Sequence, residues 1–155
     1  CIKKLCNSCG KNGMVYGQFL DINSVDCATQ DGLDKMYYHK TGMLIECSIM
    51  IPHTNSSLDN HSLEKLNSFS KKIGLAFQIK DDILDITSTS EIIGKNIGSD
   101  SKNSKMTYPE LLGIDESQKH AENLIASALD DINIEAFKDA SLLKKLAKYC
   151  IDREI

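Results

Sequence analysis

Apolar positions along the chain recur at helical spacing and never alternate with period two for long, so the pattern predicts a protein built from helices. From Gly32 to Met50, Leu33, Met36, Tyr37, Leu44, Ile45 and Ile49 are separated by threes, fours and longer multiples. Pro52 then closes the segment, because proline lacks an amide donor and its ring clashes with the preceding turn. A second helix is predicted from Ser62 to Ile86, where Leu63, Leu66, Phe69, Ile73, Phe77 and Leu84 keep the period and Ser62 is the candidate cap. Gly74 lies inside it, at a cost of about 1 kcal/mol relative to alanine, which points to a closely packed neighbour. A third helix is read from Asp115, with Gln118 reaching back to the cap and Ala121, Leu124, Ile125, Ala128, Leu129 and Ile132 on one face. A fourth carries Phe137, Ala140, Leu143, Leu146, Ala147 and Cys150. The segment up to Leu20 is read as helical despite Gly10, Gly13 and Gly17. Between Thr87 and Thr107 the periodicity vanishes, which predicts a loop of about twenty residues, a length usually associated with function or mobility.

With 155 residues, 41% of them hydrophobic, the chain fits one domain with a core of its own. Its 18 Lys and Arg against 22 Asp and Glu give a net charge of −4, which excludes the basic footprint of a nucleic-acid binder. Arg153 is the sole arginine, so phosphate contacts would fall to lysine ammonium groups acting as point charges. The longest apolar stretch falls far short of the ~20 residues that span a bilayer, and the N-terminus lacks a signal-peptide pattern. Six cysteines at irregular spacing are read as reduced thiols in a cytoplasmic setting. Cys6 and Cys9 meet no second pair at metal-ligand spacing, and zinc is set aside. The opening Cys1-Ile2-Lys3-Lys4, without Met, is read as the start of a fragment.

The most informative stretch runs from Gly74 to Asp85 and places Asp81, Asp82 and Asp85 in an otherwise apolar helix. Asp81 and Asp85 are one turn apart on a shared face, and Asp82 sits about 100° around. Like charges at that spacing destabilise a helix by a few tenths of a kcal/mol, a cost that a divalent cation would offset. Clustered carboxylates suit hard cations, and Mg²⁺ is commonly held by one or two of them together with substrate phosphates and water. A solvated acidic helix face is the bland alternative, and for isolated residues the same holds: Lys40 and Lys95 as surface charges, Gln78 as a core amide, Gln18 and Asp21 as helix cross-links.

The string Phe77-Gln78-Ile79-Lys80-Asp81-Asp82-Ile83-Leu84-Asp85, followed by Gly94-Lys95, Asp100, Lys105 and Thr107-Tyr108-Pro109, resembles the second aspartate-rich region of bacterial farnesyl and geranylgeranyl diphosphate synthases. Gly17-Gln18-x-x-Asp21 and His39-Lys40-Thr41-Gly42 match two further motifs of that family in order and spacing. The resemblance implies an all-α fold, the C-terminal part of the isoprenoid synthase helical bundle, over residues 1–155, with the first half of the enzyme missing. It implies that Asp81 binds Mg²⁺ on an allylic diphosphate, with Asp82 and Asp85 completing the metal cluster directly or through water. Lys40 and Lys95 would grip that diphosphate, Thr41 and Gln78 would lie beside the allylic cation, and Lys105 would make a further diphosphate or helix-end contact. Tyr108-Pro109 is read as a turn and helix start.

The first aspartate motif of the family and the basic cluster for isopentenyl diphosphate find no match here. A missing N-terminal half or a partner chain would have to supply them, and the chain alone is expected to be inactive. The family implies a homodimer. Rival readings are a class I terpene cyclase, whose second metal motif has no convincing match here, a silent regulatory subunit, and a helical interaction domain. The helices over 32–50 and 62–86 are expected to leave a broad apolar surface without the missing partners.

Overall fold

The computed structural model describes residues 1–25, 27–92 and 106–153, without the side chains of 88–92. Regular structure among the described residues is helical throughout, with no strand: α1 (Ile2–Cys9), α2 (Met14–Asn23), α3 (Gln30–Tyr37), α4 (Met43–Met50), α5 (Asn60–Ile92), α6 (Tyr108–Leu112), α7 (Ile114–Asp131) and α8 (Ser141–Asp152). One turn of π-helix, Tyr38–Gly42, joins α3 to α4 without a break, so the predicted helix over 32–50 exists with a wide turn in its middle. Pro52 falls in a 3₁₀ turn, Ile51–His53, just past the end of that rod. No helix among the described residues is long and apolar enough to cross a membrane.

The spine is α5, 33 residues and about 50 Å long. Leu66, Phe69, Ile73, Ala76, Ile79 and Ile83 follow one another by three or four positions and are all at most 5% exposed. Each larger side chain of that stripe contributes roughly 1.5–3 kcal/mol by leaving water. Along one side α7 brings Ala121, Ile125, Ala128 and Ile132, and its alanines let the two helices approach closely. The π-turn and α4 pack against α5 as well, and α8 packs against both α5 and α7. Of the large apolar residues in the helices predicted over 32–50 and 62–86 only Ile86, at 37%, is exposed, while Leu44, Ile45, Leu75 and Phe77 among others are half-buried. Exposed apolar residues are concentrated on α1, α2 and α8, among them Ile2, Phe19, Ile22 and Leu142, with Leu112 and Ile114 where α6 meets α7.

Several boundaries differ from the sequence pattern for local reasons. Asp59, not Ser62, caps α5, its Oδ1 accepting the Ser62 amide at 2.7 Å, since a carboxylate also answers the positive end of the helix. At the start of α7 no side chain caps, and Gln118 donates to Glu122 at 2.7 Å rather than to the helix start. The reciprocal capping box belongs to α6, between Thr107 and Glu110, with Pro109 in the first turn as expected. Helix α5 passes Thr87 and reaches Ile92, because a stretch without Pro or Gly can continue a helix without an apolar face. At the other end of the chain α8 begins at Ser141, whose amide Asp139 accepts at 3.0 Å, leaving Phe137 in the turn before it.

One polar clamp crosses the main helix pair. Asp131, at the end of α7, is 5% exposed and meets Lys65 at 3.0 Å and Lys72 at 2.5 Å, both from α5. Burial alone would push its carboxyl up, but hydrogen bonds from Lys72, Ser68 and Lys65, with the Lys72 charge, hold it below the ordinary value. A carboxyl depressed in the folded state stabilises the fold above its unfolded pKa, about 3.9, and loses that contribution as pH falls through the folded pKa. Asp131→Asn should cost about 1–3 kcal/mol at pH 7 in denaturant unfolding. The wild type should lose that advantage below pH ~4. An equal difference between the two proteins at all pH values would contradict this assignment.

Candidate functional site

The site is built on two close backbone approaches to the π-turn. A Cβ added to Gly17 of α2 would lie 2.1 Å from the Lys40 backbone nitrogen, so no larger residue fits without moving α2. A Cβ on Gly74 of α5 would lie 3.0 Å from the Gly42 Cα. Helices α2 and α5 thus both reach the wide turn that carries Lys40 and Thr41. A π-turn adds one residue to the helical repeat and redirects the side chains around it, which is why such turns gather at functional positions.

Lys40 and Thr41 each have a polar partner on one of those helices. Lys40 Nζ is 3.1 Å from Asp21 Oδ2 of α2, with the two side chains 27% and 9% exposed. An ammonium has three donors, so the pair aims the lysine while leaving it capacity for an anion. Thr41 donates its hydroxyl to Gln78 Oε1 of α5 at 2.9 Å. One turn beyond Gln78 on α5 lies the buried Asp82 carboxylate, which accepts from the Tyr37 hydroxyl. Burial raises Asp82 to about 6, against the lowering influence of Tyr37, the Tyr108 backbone and Gln78. The Tyr37 phenol is pushed well above its ordinary range by burial and by the Asp82 charge, so it stays protonated as the donor. Behind it, the fully buried Tyr108 donates its hydroxyl to Asp34 and lies with its ring 5.9 Å from that of Tyr37.

The three carboxylates of the aspartate motif lie in three different environments. Asp82 is inside the network just described. Asp81 is partly exposed and forms an ion pair with Arg153, whose guanidinium also donates to the Phe77 carbonyl at 2.9 Å and lies 3.9 Å above the Phe77 ring. Asp85 is exposed one turn further along α5. Among the described residues no group of three or more metal-ligating side chains converges. Asp81 and Asp85, one turn apart on α5, are the carboxylates that could hold a cation such as Mg²⁺, which takes one or two carboxylates and draws its remaining oxygens from phosphate and water.

Of the residues picked out in the sequence, Lys40, Thr41 and Gln78 are gathered at the π-turn, with Asp81 one turn beyond Gln78 on α5. Lys95 and Lys105 lie outside the described residues. Sequence reasoning missed Tyr37 and Arg153. Tyr37 sits on the apolar face of its helix and looks like any core aromatic. Arg153 meets Asp81 across 72 positions of sequence, and only its being the single arginine could have singled it out.

The polyprenyl synthetase family model matches residues 5–148. The chain is 38% identical over 154 residues to a farnesyl diphosphate synthase of Micrococcus luteus, covering 98% of this chain and 52% of that protein. It is 35% identical over 156 residues to the farnesyl diphosphate synthase of Escherichia coli (strain K12), again over 98% of this chain and 52% of the relative. Among solved structures, the geranyltransferase of Helicobacter pylori, in complex with magnesium and isoprenyl diphosphate, superposes with a TM-score of 0.71 at 31% identity, over 97% of this chain and 50% of that one. The chain thus spans about half the length of the curated relatives it matches. A family match over most of the sequence, together with the shared helical fold, shows that this chain belongs to the polyprenyl synthetase family.

Proposed function

We propose that this chain supplies the part of an isoprenyl diphosphate synthase that holds an allylic diphosphate and Mg²⁺, in an enzyme that condenses that substrate with isopentenyl diphosphate. The observation that carries the reading is the Thr41–Gln78 hydrogen bond, 2.9 Å long, which ties the lysine-bearing π-turn to the helix that presents Asp81 one turn later. Lys40, aimed by Asp21, donates to a phosphate oxygen. Asp81, with Asp85, holds the metal, which when bound supplies the positive charge that stabilises the diphosphate as it leaves. Thr41 and Gln78 turn oxygen atoms toward the carbon from which it departs, where a positive charge develops. Lys95 and Lys105 belong to the proposal as further diphosphate contacts, on the resemblance alone.

A second half, bearing the first aspartate motif and the site for isopentenyl diphosphate, completes the enzyme in this reading. The homodimer also rests on the resemblance, and the cytoplasmic setting on the reading of the six cysteines as reduced thiols. Relatives named farnesyl and geranylgeranyl diphosphate synthases support a synthase over a terpene cyclase.

Combining this chain with a half-enzyme that carries the first aspartate motif should give Mg²⁺-dependent condensation of an allylic diphosphate with isopentenyl diphosphate. Asp81→Ala should lower kcat/KM by roughly 10²–10³-fold, the scale of losing one charge-stabilising group. Activity indifferent to Asp81 would overturn the site.

The Arg153 guanidinium competes for the same carboxylate that the metal needs. Arg153→Ala should therefore tighten Mn²⁺ binding several-fold at low ionic strength, with the gain shrinking as salt screens the guanidinium. Paramagnetic titration would measure it. Identical affinities at low salt would mean that arginine and metal use different faces of Asp81.

A further inference from the structure

The π-turn that carries Lys40 and Thr41 is spanned by a side-chain contact of its own. Tyr38, the first residue of the turn, donates its hydroxyl to Glu46 Oε2, in the first turn of α4, at 2.8 Å. In a plain α-helix two residues eight positions apart lie about 80° from each other around the axis, on different faces. The wide turn takes up one extra residue, so Tyr38 and Glu46 stand as if seven apart, within about 20° of the same face. In the backbone, the Met43 amide marks that extra residue by bonding back to the Tyr38 carbonyl, five positions earlier. The Tyr38 ring lies along the turn, since a Cβ added to Gly42 would be 3.2 Å from its Cδ2. Burial, with the hydrogen bond and charge of Glu46, pushes the Tyr38 phenol well above its ordinary range, so it stays protonated as the donor. The Glu46 side chain is 14% exposed, and its other oxygen lies 3.8 Å from Lys4 of α1.

We propose that Tyr38 and Glu46 are positioning residues, whose hydrogen bond braces the π-turn and fixes the direction in which Lys40 and Thr41 are offered. The extra residue of a wide turn could be taken up earlier or later along the rod with the same number of backbone bonds. Each such shift rotates the residues between the old and new positions by about 100° relative to the rest of the helix. For Lys40 and Thr41 that rotation would break the contacts with Asp21 and Gln78, which are 3.1 and 2.9 Å long. Gly17 and Gly74 let the neighbouring helices come close, but an approach of backbones does not select a register. A directional bond across the turn does. The brace forms only while the extra residue lies between positions 38 and 46, so it opposes migration out of that interval, with the Tyr38 ring seated against Gly42 at the end of the turn. The consequence for a bound diphosphate rests on the function proposed above; the brace itself does not.

Two measurements on the 155-residue chain test this, hydrogen exchange of the Met43 backbone amide by nuclear magnetic resonance and binding of inorganic pyrophosphate in the presence of Mn²⁺. Tyr38→Phe, which keeps the ring and removes only the hydroxyl, should speed Met43 exchange by about fivefold, the scale of one hydrogen bond. Glu46→Leu should do the same, and the double variant should be no faster than either alone, as two ends of one contact behave. Glu46→Gln keeps an acceptor oxygen and should stay within about twofold of wild type. The Ile125 amide on α7 should exchange as in wild type in every variant, because the brace is local. Pyrophosphate should bind about threefold more weakly to Tyr38→Phe and to Glu46→Leu. Removing the Glu46 charge beside Lys4 would strengthen anion binding if charge alone mattered, so weaker binding in Glu46→Leu is the mark of positioning. Met43 exchange at the wild-type rate in Tyr38→Phe or in Glu46→Leu, an Ile125 amide quickened as much as Met43, or pyrophosphate bound as tightly by Tyr38→Phe as by wild type would overturn the proposal. If Glu46→Leu fails to fold, Tyr38→Phe and Glu46→Gln decide. A wild-type chain that binds no pyrophosphate would sink the diphosphate reading of Lys40 instead, with Met43 exchange still deciding the brace.

Discussion

The distance of closest approach between α5 and the π-turn governs everything else at the site. Gly74 and Gly42 meet where a Cβ would stand 3.0 Å from a Cα, and Gly17 lets α2 come closer still to Lys40. A Cβ at Gly17 would collide with the Lys40 backbone, and one at Gly74 would press the π-turn back by a few tenths of an ångström. Without that approach the Thr41 hydroxyl would not reach Gln78, nor Lys40 reach Asp21. The cost of a glycine inside a helix, about 1 kcal/mol, is offset here by polar contacts made across the gap.

The carboxylates of α5 show how one short motif can serve two physical environments. An ionised carboxylate taken out of water is costly unless several donors replace the lost hydration. Asp82 accepts from the Tyr37 hydroxyl, and burial raises its pKa to about 6. Asp81, one position earlier, stays partly in water and is balanced by a guanidinium rather than by neutral donors. A helix turns 100° per residue, so neighbours in sequence face different surroundings. The partly exposed member is the one suited to exchanging partners.

Much of this was legible from residue order. The stripe of Leu66, Phe69 and Ile73 and that of Ala121, Ile125 and Ala128 marked the two central helices, because the packing that buries them repeats at the helical period. Gly74 inside an apolar run signalled a close neighbour, and one is there. The resemblance carried by His39-Lys40-Thr41-Gly42 and the aspartate motif pointed to the family that the comparisons show. Local signals failed where the decisive contact was distant. The π-turn leaves no period of its own in five residues, the burial of Asp82 depends on Tyr37 from 45 positions away, and Arg153 reaches Asp81 only after the fold is made. Ser62 and Asp115 looked like caps in isolation, but Asp59 and the backbone at Gly113 occupy those helix starts.

The account turns on one diphosphate being held between the π-turn and the aspartate-bearing face of α5. A crystal structure of this chain grown with Mg²⁺ and a non-hydrolysable allylic diphosphate analogue would test that directly. The account predicts phosphate oxygens within hydrogen-bond reach of Lys40 Nζ, a cation bridging them to Asp81, and the first carbon of the chain beside Thr41 and Gln78. A diphosphate bound away from Lys40, or a cation that does not touch Asp81, would contradict it.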